Sequence, residues 1–133
     1  MSSFHPSPFL RNALMVDAAA SGATAFLLIA GAGVLDQWLG LPTALLRGAG
    51  LVLLPYVAYV VFLGTRHHIN AASVWAVIAA NAAWTVASFL VLASGWVAPT
   101  ALGYAFVIGQ ALVVAALGEL QHMGLRRPPQ VTA

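Results

Sequence analysis

The chain has 133 residues, 62% of them hydrophobic and 6% charged, with a mean hydropathy of +0.94. That balance excludes an ordinary soluble domain, in which about a quarter of residues are charged. The isoelectric point near 9.7 does not point to nucleic acid, because five arginines without a lysine build no basic patch, and the lack of cysteine excludes disulfides and thiolate chemistry.

The first apolar stretch covers residues 12–35 and follows a single cation, Arg11. It differs from a secretory signal peptide in that Asp17 interrupts it early and no small-residue cleavage site closes it. It is expected to be a retained helix. The turn Gly40-Leu41-Pro42 leads to a second span over 43–65. From 69 to 118 no residue is charged. At about 1.5 Å per residue, one helix over that run would be roughly 75 Å long, far beyond a bilayer core of about 30 Å. The run therefore divides into spans over 71–93 and 100–122, joined by Ser94-Gly95-Trp96-Val97-Ala98-Pro99. Each proline falls near the first turn of the following helix, where its missing N–H is harmless. A polar tail occupies 123–133. The expected fold is all-α: one transmembrane domain over 1–133, built as a polytopic four-helix bundle with short loops.

Orientation follows from the arginines. Arg11, Arg66, Arg126 and Arg127 fall on one side and only Arg47 toward the other. The positive-inside rule then places both termini in the cytoplasm, with Trp38, Trp96 and Tyr104 at the outer interface. Arginine as the sole cation and the Ala, Leu, Val and Gly richness suit the inner membrane of a high-GC bacterium. The halves also align at an offset of 57: Val34-Leu35 and Pro42-Thr43-Ala44-Leu45 recur as Val91-Leu92 and Pro99-Thr100-Ala101-Leu102. Such a match suggests a parallel repeat of two helical hairpins, or chance among abundant residue types.

Polar side chains inside a span avoid lipid, so each one marks an inward face, a partner or a cavity. Asp17, Ser21 and Thr24 share one face of the first helix, with Asp17 roughly 8 Å inside its start. Asp17 is expected to pair with Arg66, a neighbouring subunit's arginine or a helix hydroxyl, or to bind a proton or cation. Asn81, Thr85 and Ser88 share a face of the third helix beside Trp84. The pattern predicts an Asn81–Gln110 hydrogen bond to the fourth helix, worth about 0.6–2 kcal/mol. Gly103, Gln110, Leu117 and Gln121 form the stripe facing it. Glu119 projects opposite to Gln110, toward helix one, a partner or the cytoplasmic interface. Pro55 interrupts the second helix and predicts a kink, followed by Tyr56 and Tyr59 as donors to any midplane cavity. The histidines His5, His67, His68 and His122 all lie toward the cytoplasmic side. His122 with His67 or His68 is the one pairing with any claim to a metal or haem. No spacing motif supports it, and neither a metal nor another cofactor is implied.

The strings Asp17-Ala18-Ala19-Ala20-Ser21-Gly22, Leu45-Leu46-Arg47-Gly48-Ala49-Gly50-Leu51-Val52-Leu53-Leu54-Pro55-Tyr56, Asn81-Ala82-Ala83-Trp84 and Gly118-Glu119-Leu120-Gln121-His122-Met123-Gly124-Leu125-Arg126-Arg127 together resemble a set of small, uncharacterised four-helix bacterial membrane proteins. That resemblance implies the architecture and no activity. In size the chain is also similar to DoxX-like proteins and small multidrug transporters, but it lacks a first-helix glutamate, and Asp17 would have to substitute. No motif assembles an acid, a base and a nucleophile. The expected role is a bilayer-embedded subunit that self-associates into a homo-oligomer or joins other membrane subunits, without a catalytic site. The intramembrane polar candidates are Asp17, Ser21, Tyr56, Asn81, Thr85, Gln110 and Glu119. One alternative is a transporter or channel using Asp17, Ser21, Asn81 and Gln110 around the Pro55 kink; the other is a cofactor-binding membrane enzyme.

Overall fold

The computed structural model describes residues 3–126, and Arg127 with the rest of the tail lies outside the described residues. Those residues form five helices: α1 (Pro8–Ala30), α2 (Ala32–Leu39), α3 (Thr43–Thr65), α4 (Ala71–Ser94) and α5 (Ala101–Arg126). Two short strands, β1 (Ser3–Phe4) and β2 (Ile69–Asn70), pair antiparallel with Phe4 opposite Ile69. Four helices (α1, α3, α4 and α5) are long and apolar enough to cross a membrane. The all-α, four-span reading of the sequence therefore holds.

The first span departs from expectation at both ends. Ser7 accepts a hydrogen bond from the Leu10 amide at 3.1 Å and Pro8 occupies the first turn, so α1 starts before residue 12. It stops at Gly31, whose own amide closes on the Leu27 carbonyl at 2.8 Å. A side chain there would press on that carbonyl at 2.7 Å. The chain then re-forms as α2, which buries Leu35 and Leu39 and ends at Gly40 in the left-handed region, φ 68°. What reads as one long span is a span plus a short helix lying over the end of the bundle. At the other end of the chain, α5 runs on past 122 to Arg126. Pro55 lies inside α3, which continues through it as helix.

The spans pack as two hairpins, α1 with α3 and α4 with α5, and α1 also packs along α5. By contrast α3 and α4 barely touch, so the ring of four helices has one loosely closed seam. One apolar cluster, including Ala25, Leu28, Leu46, Leu53 and Val107, fills the α2 end. A second, including Leu10, Leu14, Val60, Val74 and Val77, fills the end near the strands. The hairpins are tied at the α2 end, where Thr100 donates its hydroxyl to the Trp38 carbonyl at 2.7 Å and its amide to the Leu39 carbonyl at 3.0 Å.

Close approach there depends on Gly103, because a methyl group on it would strike the Leu39 carbonyl oxygen and Pro99. Gly109, two turns along the same helix, faces open space. Gly103→Ala is expected to cost about 1–3 kcal/mol of unfolding free energy from overpacking, and Gly109→Ala close to nothing. Chemical unfolding of the two variants in detergent measures the difference, and equal stabilities would contradict this packing.

Candidate functional site

Between the two apolar clusters sits a polar one. Asp17 of α1 is buried, with 1% of its surface exposed, together with Asn81 of α4 and Gln121 of α5. Because α1 starts at Pro8, Asp17 lies nine residues into the helix, about 14 Å along it. That is deeper than the sequence suggests. One turn on, Ser21 donates its hydroxyl to Asp17 Oδ1 at 2.9 Å. Three further donors converge on Oδ2: the Tyr56 hydroxyl of α3 at 2.6 Å, Asn81 Nδ2 at 3.2 Å and Gln121 Nε2 at 2.7 Å. Each of the four spans thus contributes to one carboxyl group. All four partners donate, which is what a carboxylate, an acceptor only, requires. Among the described residues Asp17 has no ion-pair partner.

The proton count around Tyr56 is short by one. Its oxygen lies 2.6 Å from Asp17 Oδ2 and 2.9 Å from Asn81 Oδ1, and both of those atoms accept. A phenol has one proton to give. With Asp17 as a carboxylate, Tyr56 serves Asp17 and Asn81 Oδ1 is left open. With a proton on Asp17, the carboxyl donates to Tyr56, which then donates to Asn81. The Asn81 amide is oriented by Gln121, whose Oε1 receives its other N–H at 2.8 Å.

This cluster adjoins a cavity of about 510 Å³. Its walls come from all four spans: Ala20, Ser21 and Thr24 of α1; Val52, Leu53 and Tyr56 of α3; Ala80, Asn81, Ala83, Trp84 and Ala87 of α4; and Gln110, Val113, Val114 and Leu117 of α5. Of its lining residues, Val52 of α3, Ala83 and Ala87 of α4 and Val113 of α5 are exposed, so the cavity is open to the outside beside the loosely closed seam. At its far end Trp84 donates its indole N–H to Gln110 Oε1 at 2.7 Å. The Gln110 amide donates to Ser88 Oγ at 3.0 Å and to the Val107 carbonyl at 2.8 Å. A smaller pocket of about 180 Å³ continues from there toward Leu28, Leu46 and Phe106.

Of the residues singled out in the sequence, Asp17, Ser21, Tyr56 and Asn81 come together. The Asn81–Gln110 bond does not form. A helical rotation places Asn81 toward Asp17 and Gln121, and Gln110 is engaged by Trp84 instead. Gln121 is the residue whose role the sequence reading underrated. It lies eleven residues, close to three full turns, beyond Gln110, and that spacing held the signal. Thr85 donates to the Asn81 carbonyl of its own helix at 2.9 Å and stays outside the cluster. Asp17 meets a helix hydroxyl, as one of its expected partners, but not Arg66, whose guanidinium lies 4.9 Å over the Phe62 ring. The carbonyls ending α3 are covered by Arg11, which donates to Gly64 at 2.6 Å and to Arg66 at 3.0 Å. Glu119 is exposed rather than packed on α1. Tyr59 is exposed and reaches only the Ser73 carbonyl, at 3.5 Å.

The strand pair brings His5 beside His67 and His68, with ring centroids 6.5 and 5.7 Å apart, whereas His122 packs on Trp75 at 5.3 Å. The pairing of His122 with His67 or His68 is not what these contacts assemble. Among the described residues no three His, Asp or Glu side chains are grouped to hold a metal ion. Asp36, unremarked in the sequence, accepts from Thr43 at 2.7 Å through Oδ2 and joins α2 to the start of α3.

The fold and site together define a small multi-pass membrane protein with a polar-ended cavity among its spans. No protein family, curated protein or solved structure matches the chain.

Asp17→Leu strands four donors in an apolar interior and is expected to cost more than about 3 kcal/mol, at about 1–3 kcal/mol for each buried group left unpaired. Asp17→Asn keeps an oxygen for the Oδ2 partners and is expected to lose less than about 2 kcal/mol. Unfolding in detergent compares them, and a stable Asp17→Leu protein would show that the cluster contributes little to the fold.

Proposed function

We propose that this protein is a small membrane carrier that takes a lipophilic molecule from the bilayer into the cavity among its four spans. The observation that carries this reading is the cavity itself. Its volume of about 510 Å³ lies within the usual range of ligand sites, about 300–1,000 Å³. Its surface is largely apolar, with a few polar groups at its ends, the usual make-up of a pocket that fixes a small ligand. Its exposed lining residues, Val52, Ala83, Ala87 and Val113, fall near the middle of their helices, so it opens on the flank of the bundle rather than at its end. An ionisable residue inside a span is by default a candidate functional site, and Asp17 stands directly behind the polar end. In this reading both termini face the cytoplasm of a bacterial cell and the carrier sits in its inner membrane.

The test uses proteoliposomes and a dodecan-1-ol with a mid-chain diazirine as the photoprobe. Saturable labelling is expected at Ala83, Ala87 or Val113. Ala80→Phe, which fills the cavity from α4, is expected to abolish that labelling while the protein still elutes as a folded species. Labelling that never saturates, or that Ala80→Phe leaves intact, sinks the carrier reading.

A second reading, self-association, has one observation in its favour. The outer face of α4 is the least covered of any span and presents Ala72, Ala76, Ala79 and Ala83 at helical spacing. Small residues so placed let two helices approach closely. Native mass spectrometry from a mild detergent should then show multiples of 13.8 kDa, and Ala76→Leu with Ala79→Leu should return them to monomer. A wild-type protein that is monomeric throughout removes this reading.

A further inference from the structure

We infer that the cavity selects ligands whose polar head donates hydrogen bonds, an aliphatic alcohol or amine, over ligands whose head only accepts, such as a ketone, ester or quinone. This rests on the cavity being a ligand site, as proposed above, and it follows from a count of hydrogen-bonding capacity on the cavity wall.

Every side-chain donor on that wall is already committed. Ser21 gives its proton to Asp17 and Thr24 gives its own to the Ala20 carbonyl at 2.8 Å. Both Asn81 N–H groups are spent on Asp17 and Gln121. The indole N–H of Trp84 goes to Gln110, and both Gln110 N–H groups go to Ser88 and Val107. Tyr56, with one proton, already faces two acceptors. The helical backbone amides are used in the helices themselves.

Acceptors remain. The hydroxyl oxygens of Ser21 and Thr24 receive no hydrogen bond and keep their lone pairs. Gln110 Oε1 accepts once, from Trp84, and has a second lone pair. Asn81 Oδ1 competes with Asp17 for the Tyr56 proton and is the least satisfied of them. A head that brings its own proton therefore gains a bond at Asn81 or Ser21 without breaking one. A ketone entering the same space finds no donor to receive. It loses its hydrogen bonds to interfacial water and must pull a proton away from Asp17 or Gln110 to recover one, so the unpaired polar atom sets the preference.

Competition against the dodecan-1-ol photoprobe separates the cases, with dodecan-1-ol, dodecylamine and dodecan-2-one added at matched mole fractions of the bilayer. The alcohol and the amine are expected to displace the probe at about tenfold lower levels than the ketone, the equivalent of one hydrogen bond gained or lost. Equal displacement by the ketone overturns the donor selectivity and leaves the carrier reading standing. Absence of saturable labelling in the first place overturns the carrier reading, and this inference with it.

Discussion

Burial of one carboxyl group in an apolar interior is the constraint around which this bundle is arranged. An isolated charge or an unpaired carboxyl in such a medium is strongly disfavoured unless its oxygens are matched by donors. Here the matching takes a residue from every span: Ser21 beside Asp17 on α1, then Tyr56, Asn81 and Gln121 from the other three. Lipid offers little hydrophobic drive between helices, so their register must come from packing and interhelical hydrogen bonds. Four neutral donors meeting on one group fix the rotation of all four helices about their axes. Glycines then set how near they stand, as Gly103 does at the Leu39 carbonyl and Gly124 at Leu10.

The same arrangement explains where the empty space is. Hairpins α1–α3 and α4–α5 are held by side-chain packing, and α1–α5 joins them along one side. On the other side α3 and α4 barely touch: two hydrogen bonds, Tyr56 to Asn81 at 2.9 Å and Tyr59 to Ser73 at 3.5 Å, link them beside the shared apolar cluster of Val60, Val74 and Val77. Small side chains on α4, Ala80, Ala83 and Ala87, leave volume where larger ones would close the seam. The cavity thus lies where the polar cluster ends and where tight packing fails, and both follow from the alanine-rich face of α4.

Much of this was legible from the residues, for definable reasons. Uninterrupted hydropathy located α3, α4 and α5 to within a few positions, because a membrane demands length and apolarity and little else. The i, i+4 spacing put Asp17 and Ser21 on one face, and local periodicity suffices for that. Asn81 against Gln110 was not resolvable in the same way. Both lie at similar depth, but which residue of α5 meets Asn81 depends on rotation and offset between helices. Those are set by distant contacts such as Gly118 against the Asn81 side chain. The break at Gly31 was hidden because α2 is as apolar as the span before it, and hydropathy cannot tell a crossing helix from one folded over the end. Arg11, read only as a topology signal, turns out to interlock the ends of α1 and α3 through the carbonyls of Gly64 and of Arg66, itself an expected partner of Asp17.

The seam between α3 and α4 has an apolar contact at the strand end and a hydrogen bond beside the cavity, and the two differ in kind. Packed interfaces resist partial opening, since every separation of a few tenths of an ångström forfeits many contacts at once. The Tyr56–Asn81 contact is instead a single directional bond whose proton has another claimant 2.6 Å away, at Asp17. When Tyr56 turns its proton to Asp17, the link across the seam loses its donor while the link between α1 and α3 gains one. The choice open to one phenol proton thereby bears on how firmly two helices hold together beside the cavity. The tightly packed α1–α3 and α4–α5 hairpins have no need to move for it to do so.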